Sequence, residues 1–378
     1  VVVSQYYGGG NEKKGTETFV SSIYVAVVST LIITIAGLIG ARPLLRILQT
    51  SNDLIDQATV YLMVVFAGAV GTMLYNWISA VLRSLGNSVV PLVFLIISSV
   101  LNVILDIVFV VWIPMGVAGA AFATVLAQLL SGIGCLVYAW KILPILQFMK
   151  EELRCDRELV KQMLIYGVPT GLQMSIISVS DMTLQAMVNT YGTALIVAYG
   201  VCIKVEGVGW QMAEAIGTSL GTFTGQNVGA NHLDRVKQGV RYTQMMVLGW
   251  SVFVMFLMFF FGKYLTYLFV DPSEQDVVNV SVTYFRTVFW AYPFLGSIFL
   301  YRNTLQGMGY GLVPMLGGVF ELVARTGIVV LIAGHTSFAG VCMADPTAWI
   351  AALIPLIPYY FHVMKKYKNK SQVQVIED

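Results

Sequence analysis

Charge is scarce in this 378-residue chain: 11% of its residues are Asp, Glu, Lys or Arg, and the formal net charge is +2. A chain with 57% hydrophobic residues and a mean hydropathy of +0.77 would not stay dissolved in water, so lipid is its natural solvent. Histidine and cysteine are also rare. His232, His335 and His362 have no Cys, His or carboxylate partner at metal-ligand spacing, which argues against a metal centre. Cys135, Cys155, Cys202 and Cys342 show no paired spacing and read as small apolar fillers. No phosphate-binding glycine loop of the Walker type is present, so ATP is not the expected energy source and an ion gradient is. Neither a nucleophile beside a base nor a metal cluster supports an enzyme. No organic cofactor and no nucleic-acid partner is expected.

What the chain has in abundance is apolar runs of about 20 residues, each long enough to cross a hydrocarbon core as a helix. Ten are expected, near 18–40, 58–81, 89–112, 117–141, 162–189, 193–224, 242–261, 279–301, 312–333 and 339–364. The alternating polarity of a membrane β-barrel is missing, so the expected class is an all-α polytopic membrane protein. Basic residues fall in alternate loops: Lys13 and Lys14, Arg83, the stretch from Lys150 to Lys161, Arg235 to Arg241, and the tail from Lys365 to Lys370 share one side. The opposite side holds Arg42, Arg46 and Lys263 with Asp271, Glu274 and Asp276. The positive-inside tendency makes the first side cytoplasmic and puts the carboxyl terminus inside, in a bacterial inner membrane.

The sequence repeats itself. Ser4-Gln5-Tyr6-Tyr7-Gly8-Gly9-Gly10-Asn11 returns loosely as Gly225-Gln226-Asn227-Val228-Gly229-Ala230-Asn231, an offset of 221. Leu82-Arg83-Ser84-Leu85-Gly86-Asn87-Ser88-Val89-Val90-Pro91 returns as Leu305-Gln306-Gly307-Met308-Gly309-Tyr310-Gly311-Leu312-Val313-Pro314, an offset of 223. Two matches at nearly one offset indicate duplication. Six spans separate Gln5 from Gln226, an even number, so the halves are parallel repeats about an axis normal to the membrane. The second half has two spans before its Gln-Asn-Val-Gly phrase, whereas the first opens at that phrase, and Val1 begins without a methionine inside an apolar run. Two further spans are therefore expected upstream. The expected layout is an N-lobe over 1–141, a charged cytoplasmic linker over 142–160 and a C-lobe over 161–378.

Gly225-Gln226-Asn227-Val228-Gly229-Ala230-Asn231, Gly167-Val168-Pro169-Thr170-Gly171-Leu172-Gln173 and Arg83-Ser84-Leu85-Gly86-Asn87, in this order and spacing, resemble the multidrug and toxic compound extrusion (MATE) family of secondary transporters. The resemblance runs over nearly the whole chain. It implies twelve helices in two pseudo-symmetric six-helix lobes, entered here at the end of the second helix. It also implies export of amphipathic, often cationic, small organic molecules in exchange for Na⁺ or H⁺ by alternating access. The expected protein is a monomer whose other partner is membrane lipid.

An ionisable side chain at bilayer depth costs several kcal/mol unless paired or wetted, so each one is a candidate for function. Asn102 and Asp106 lie four apart, one turn from each other on one helix face, and can bind a proton or a cation. Thr124 on the next helix adds a hydroxyl oxygen if it faces inward. In the family an Asn, an Asp and a Thr at matching places cluster with an Asp of the first helix, which this sequence does not contain. The plainer reading of Asp106 is a fixed member of an interhelical hydrogen-bond network.

Glu321 and Arg325 repeat the four-residue spacing on the duplicated helix, with Arg325 in the place of Asn102, and read as a structural salt bridge. Glu206 either meets a cationic substrate or pairs with Lys204 or another basic group; Glu214 follows two turns later. Asp181 sits in the polar stretch Ser178-Val179-Ser180-Asp181, which either holds substrate or lines water. Gln173, Gln185 and Asn189 either line the cavity or bond a neighbouring helix. The NorM-like branch of the family carries a glutamate where this chain has Ile177, and an aspartate where it has Pro293 to Leu295. The first-lobe site, as in the DinF-like branch, is therefore the expected coupling site, and Na⁺ at Asp106 the one metal ion in view. A lipid-linked glycan or peptidoglycan-precursor flippase is the competing reading. It would call for several cavity arginines, and only Arg286 and Arg325 fall inside the expected spans.

Overall fold

The computed structural model describes residues 1–47, 51–142, 154–332 and 338–377, and every regular element among them is a helix. Apolar side chains cover the outside of these helices: Ile39 is 74% exposed and Leu331 75%. Such surfaces are costly in water and neutral in lipid. Among the described residues eight helices are long and apolar enough to cross a membrane, or nine if one bent pair counts as a single span. The chain divides into two compact units, Val2–Met163 and Leu164–Asp378.

The first unit holds α1 (Val2–Gly8), α2 (Glu12–Ile47), α3 (Asn52–Ala67), α4 (Ala69–Ser84), α5 (Val89–Asp106) and α6 (Gly116–Ile142). The side chain of Asn11 starts α2 by accepting the Lys14 N–H at 3.0 Å, which satisfies one of the free donors of the first turn. The run expected as one span near 58–81 falls on two helices, α3 and α4, bent by 46° at Gly68. There a Cβ would run into the Val125 side chain on α6, and glycine leaves room for it. Phe19, Val20, Ile78, Leu82 and Cys135 form the core that joins α2, α4 and α6.

The second unit is built on α7 (Arg157–Val188), α8 (Thr193–Gly229), α9 (Leu233–Thr266), α10 (Gln275–Val288), α11 (Tyr292–Gly307), α12 (Leu312–Ile332), α13 (Phe338–Cys342) and α14 (Ala344–Glu377). The run expected as one span over 279–301 is two helices joined by a 3₁₀ turn at Phe289–Ala291. Pro293, near the start of α11, has no N–H to continue the helix before it and is well placed to begin a new one. α8 and α11 pack closely, and a Cβ on Gly307 would lie 2.5 Å from the Gly221 carbonyl.

Most of the expected linker, residues 143–153, lies outside the described residues, as does His335. α7 starts at Arg157, inside the stretch expected as linker, because Asp156 caps it. One Asp156 oxygen accepts the N–H groups of Glu158 at 2.8 Å and Leu159 at 3.3 Å. The other accepts Lys14 Nζ at 3.3 Å. The two backbone donors first, and Lys14 after them, hold this carboxyl below its usual range.

The duplication is written in the backbone. In the first half Gly86 N–H donates to Arg83 O and Asn87 N–H to Leu82 O, each at 2.9 Å; Gly309 to Gln306 and Tyr310 to Leu305 repeat both at 2.9 Å. Gly86 and Gly309, 223 residues apart, both have positive φ, +87° and +90°. At the other repeat Gly10 (φ 68°) and Asn231 (φ 57°), 221 apart, occupy the same left-handed position. The Asn11-to-Tyr6 bond returns as His232-to-Asn227. These helix ends are Schellman-like, where a left-handed residue lets trailing N–H groups reach the last carbonyls.

Candidate functional site

In the first unit α5 and α6 bring two of the three expected residues into contact. Asn102 Nδ2 donates to Thr124 Oγ1 at 3.3 Å, and that hydroxyl donates to Ala120 O at 3.1 Å. This leaves the amide oxygen of Asn102 free of that bond, and Asp106 follows one turn on along α5. Asp106 Oδ1 is buried and has no hydrogen-bond partner among the described residues. Directly after Asp106 the helix widens into a π segment, Ile107–Trp112. π turns are rare and concentrate at functional sites. A cavity of about 660 Å³ in this unit is lined by apolar side chains such as Ile23, Leu74 and Trp77, together with the hydroxyls of Thr30 and Thr34. None of the three polar residues lines it.

The second unit carries a cavity of about 290 Å³ bounded by α7, α8, α11, α12 and α14. Asp181, Gln185, Glu206, Arg302, Glu321, Arg325 and Asp345 supply its polar wall. Arg325, with only 3% of its side chain exposed, is the hub. Its Nη1 donates to Ser180 Oγ and to Asp181 Oδ1, both at 2.7 Å. Nη2 lies 3.4 Å from Glu321 Oε1 and 3.1 Å from Asp345 Oδ1. Glu321 in turn holds Arg302 Nη2 at 3.5 Å, and Asp345 accepts the Tyr284 hydroxyl at 3.3 Å. A guanidinium offers five donors in a fixed fork, which is what permits one side chain to engage acids from three helices.

The Glu321–Arg325 contact is therefore one edge of a network rather than an isolated pair. Asp181, Gln185 and Glu206 line the cavity, whereas Gln173 and Asn189 do not. Gln173 is fully buried and accepts Gln306 Nε2 at 3.1 Å, so it joins helices. Asn189, exposed near the end of α7, accepts Gln185 Nε2 at 2.8 Å. Glu206 has no ion pair with Lys204, whose ammonium lies over the Phe269 ring, 5.7 Å from its centroid. Glu206 Oε1 is buried, with the Tyr284 and Tyr292 hydroxyls beside its carboxylate.

Sequence reasoning missed Asp345 and Arg302. Asp345 lies inside the expected 339–364 span, and the rule that singled out Asp181 and Glu206 would have found it. Arg302 falls one residue past the expected end of a span at 301, yet it is 4% exposed within α11. Arg286, counted within a span, is exposed and sits over the Phe259 ring.

The MatE family profile matches residues 1–108 and 169–352, more than half of the chain. The chain is 31% identical over 306 residues to the probable multidrug resistance protein YpnP of Bacillus subtilis, covering 80% of this chain and 67% of that protein. It is 26% identical over 386 residues to YoeA of the same organism, also a probable multidrug resistance protein, covering 99% and 82%. Among solved structures, a transporter of the MOP superfamily from Pyrococcus furiosus superposes with a TM-score of 0.89 at 20% identity, over 97% of this chain and 82% of that one. The likeness at that identity speaks for the fold, and the family profile and YpnP speak for descent. The duplicated helix ends, the buried polar clusters within long apolar helices and these matches together make the chain a member of the MatE family of membrane transporters.

Proposed function

We propose that the chain is a secondary active exporter that moves amphipathic, often cationic, organic compounds outward in exchange for Na⁺ or H⁺, by alternating access. The observation that carries the coupling step is Asp106, a buried carboxylate oxygen without a partner, beside the Asn102–Thr124 pair and at the start of a π turn. A carboxylate left unpaired in low dielectric gains strongly from a proton or a small cation. The Asn102 amide oxygen and the Thr124 hydroxyl oxygen add hard ligands beside it. The relatives named for multidrug resistance support the substrate class, and Asp181, Gln185 and Glu206 form the polar wall on which such a compound would rest. The flippase reading has less support: both cavity guanidiniums are already engaged by carboxylates, so neither is free for a diphosphate.

The test is Asp106→Asn in the purified chain reconstituted into liposomes, with an imposed proton or sodium gradient and a fluorescent organic cation as cargo. Gradient-driven transport is expected to fall to background while dye binding persists. Transport at the wild-type rate would remove Asp106 from the coupling step.

A further inference from the structure

Apart from the polar cavity, the second unit has a groove of about 430 Å³ between α8 and α9. Ile216, Ser219 and Phe223 line it from α8, and Gly239, Tyr242 and Met246 from α9. The Phe223 ring lies over Gly239, where a Cβ would run into it. The Ser219 hydroxyl turns back to donate to Ala215 O at 2.9 Å, so its hydrogen is spent on its own helix. Among the described residues no acid lines the groove, and an organic cation finds no counter-charge there.

The spacing along α9 carries this groove toward one charged side chain. Arg235, Gly239, Tyr242 and Met246 follow one another by four, three and four residues, which keeps them on one face of the helix. Arg235 is exposed and has no acid partner among the described residues, since the adjacent Asp234 is engaged by Lys237 at 3.4 Å. It precedes the apolar run expected from residue 242 and lies on the basic side of the chain, with Lys14 and Arg83. An apolar slot therefore ends at an unpaired cation. From Gly239 to Met246 the slot follows the helix for about 10 Å, within the ~15 Å that separates the surface from the midplane of a hydrocarbon core. A lipid tail is as apolar as the slot and fills it at little cost. What a tail lacks, and an anionic headgroup supplies, is the counter-charge for Arg235. A protein helix seated in the slot would cover Arg235 and would have to bring an acid to meet it.

We propose that the groove between α8 and α9 is a binding site for one anionic glycerophospholipid, with an acyl chain along the slot and the phosphate on Arg235. The site lies within the second unit, goes beyond the export reading and does not depend on it.

The test uses the whole purified chain in detergent, titrated with phosphatidylglycerol, with phosphatidylcholine of the same acyl chains and with inorganic phosphate, and read by native mass spectrometry. One phosphatidylglycerol is expected to be retained per chain, about fivefold more tightly than phosphatidylcholine, the preference that one exposed cation gives an anionic lipid. Inorganic phosphate, which has no acyl chain, is expected neither to bind nor to displace it. Arg235→Gln is expected to bring the two lipids to parity, whereas Arg241→Gln, near the same end of α9 but on another face, keeps the preference. Ser219→Trp, which fills the groove, is expected to lose both lipids. A preference that survives Arg235→Gln, a phosphate that displaces the lipid, or retention unchanged in Ser219→Trp overturns the proposal. So does a mass of two chains without lipid that Ser219→Trp returns to one, which would make the groove an interface between copies. Arg235 is exposed, so its replacement leaves the packing in place and decides even where Ser219→Trp does not fold. The measurement uses no gradient and no cargo, and its failure leaves the export reading standing.

Discussion

The two halves of the chain place different chemistry at one repeated position. Residue 102 of α5 and residue 325 of α12 are 223 apart, the offset that also relates the helix ends at Gly86 and Gly309. The first half has an asparagine there, bonded to a neighbouring threonine, with an aspartate one turn on whose Oδ1 has no hydrogen-bond partner among the described residues. The second half has an arginine that gathers acids from α7, α12 and α14. The second arrangement carries its own cationic side chain, and among the described residues the first has no ion pair at Asp106. The repeated helix differs at three positions one turn apart, Ser98, Asn102 and Asp106 in the first half against Glu321, Arg325 and Val329 in the second, and only the second carries its counter-charge on the helix itself.

Exchanging these residues is the strongest way to break that comparison. Arg325→Asn leaves Asp181, Glu321 and Asp345 without their shared counter-charge, and losing one partner of a buried ionic network costs about 3–5 kcal/mol. The thermal midpoint in detergent is expected to drop further than for any other single change named here. A midpoint within a degree or two of wild type would mean that the network is not structural. The reverse exchange, Asn102→Arg, puts a built-in cation one turn from Asp106. It is expected to leave the fold in place and to suppress gradient-driven transport as fully as Asp106→Asn does; transport at the wild-type rate would separate Asp106 from coupling.

How much of this was legible beforehand depended on whether a signal was local. Long apolar runs and the repeat needed only the order of residues, so the helical class and the repeated helix ends were accessible. The i and i+4 spacing that puts Asn102 and Asp106 on one helix face was legible in the same way, whereas the contact of Asn102 with Thr124 on the next helix was not. The acidic network was not accessible, because its members come from Asp181, Glu321 and Asp345 on three helices, and no spacing in the sequence reports that they converge on Arg325. The Glu321–Arg325 pair was visible as a one-turn spacing, and that same visibility hid its further partners. The π turn after Asp106 has no signature in Ile107 to Trp112, an unbroken apolar run.

A smaller effect sharpens the comparison at the shared helix ends. Gly86 and Gly309 both sit in the left-handed region, where a Cβ costs roughly 1–2 kcal/mol. Gly86→Ala and Gly309→Ala are therefore expected to lower stability by similar amounts, read as paired shifts of the unfolding midpoint. A loss confined to one of them would show that the two repeats no longer share this strain.

The smallest effect concerns an acid outside the membrane, and it supplies the contrast to Asp106. Both oxygens of Asp156 are engaged, one by the N–H groups of Glu158 and Leu159 and the other by Lys14, so the folded chain favours its ionised form. Its folded pKa is lowered, and the unfolded value is near the ordinary carboxyl value of about 4. The stabilisation is therefore fully present above that unfolded value and is lost as pH falls through the lowered folded one. Asp156→Asn is expected to reduce the unfolding midpoint slightly at neutral pH, and the gap from wild type is expected to close in acid. A gap that stays constant with pH would assign the effect to the shape of the cap rather than to its charge.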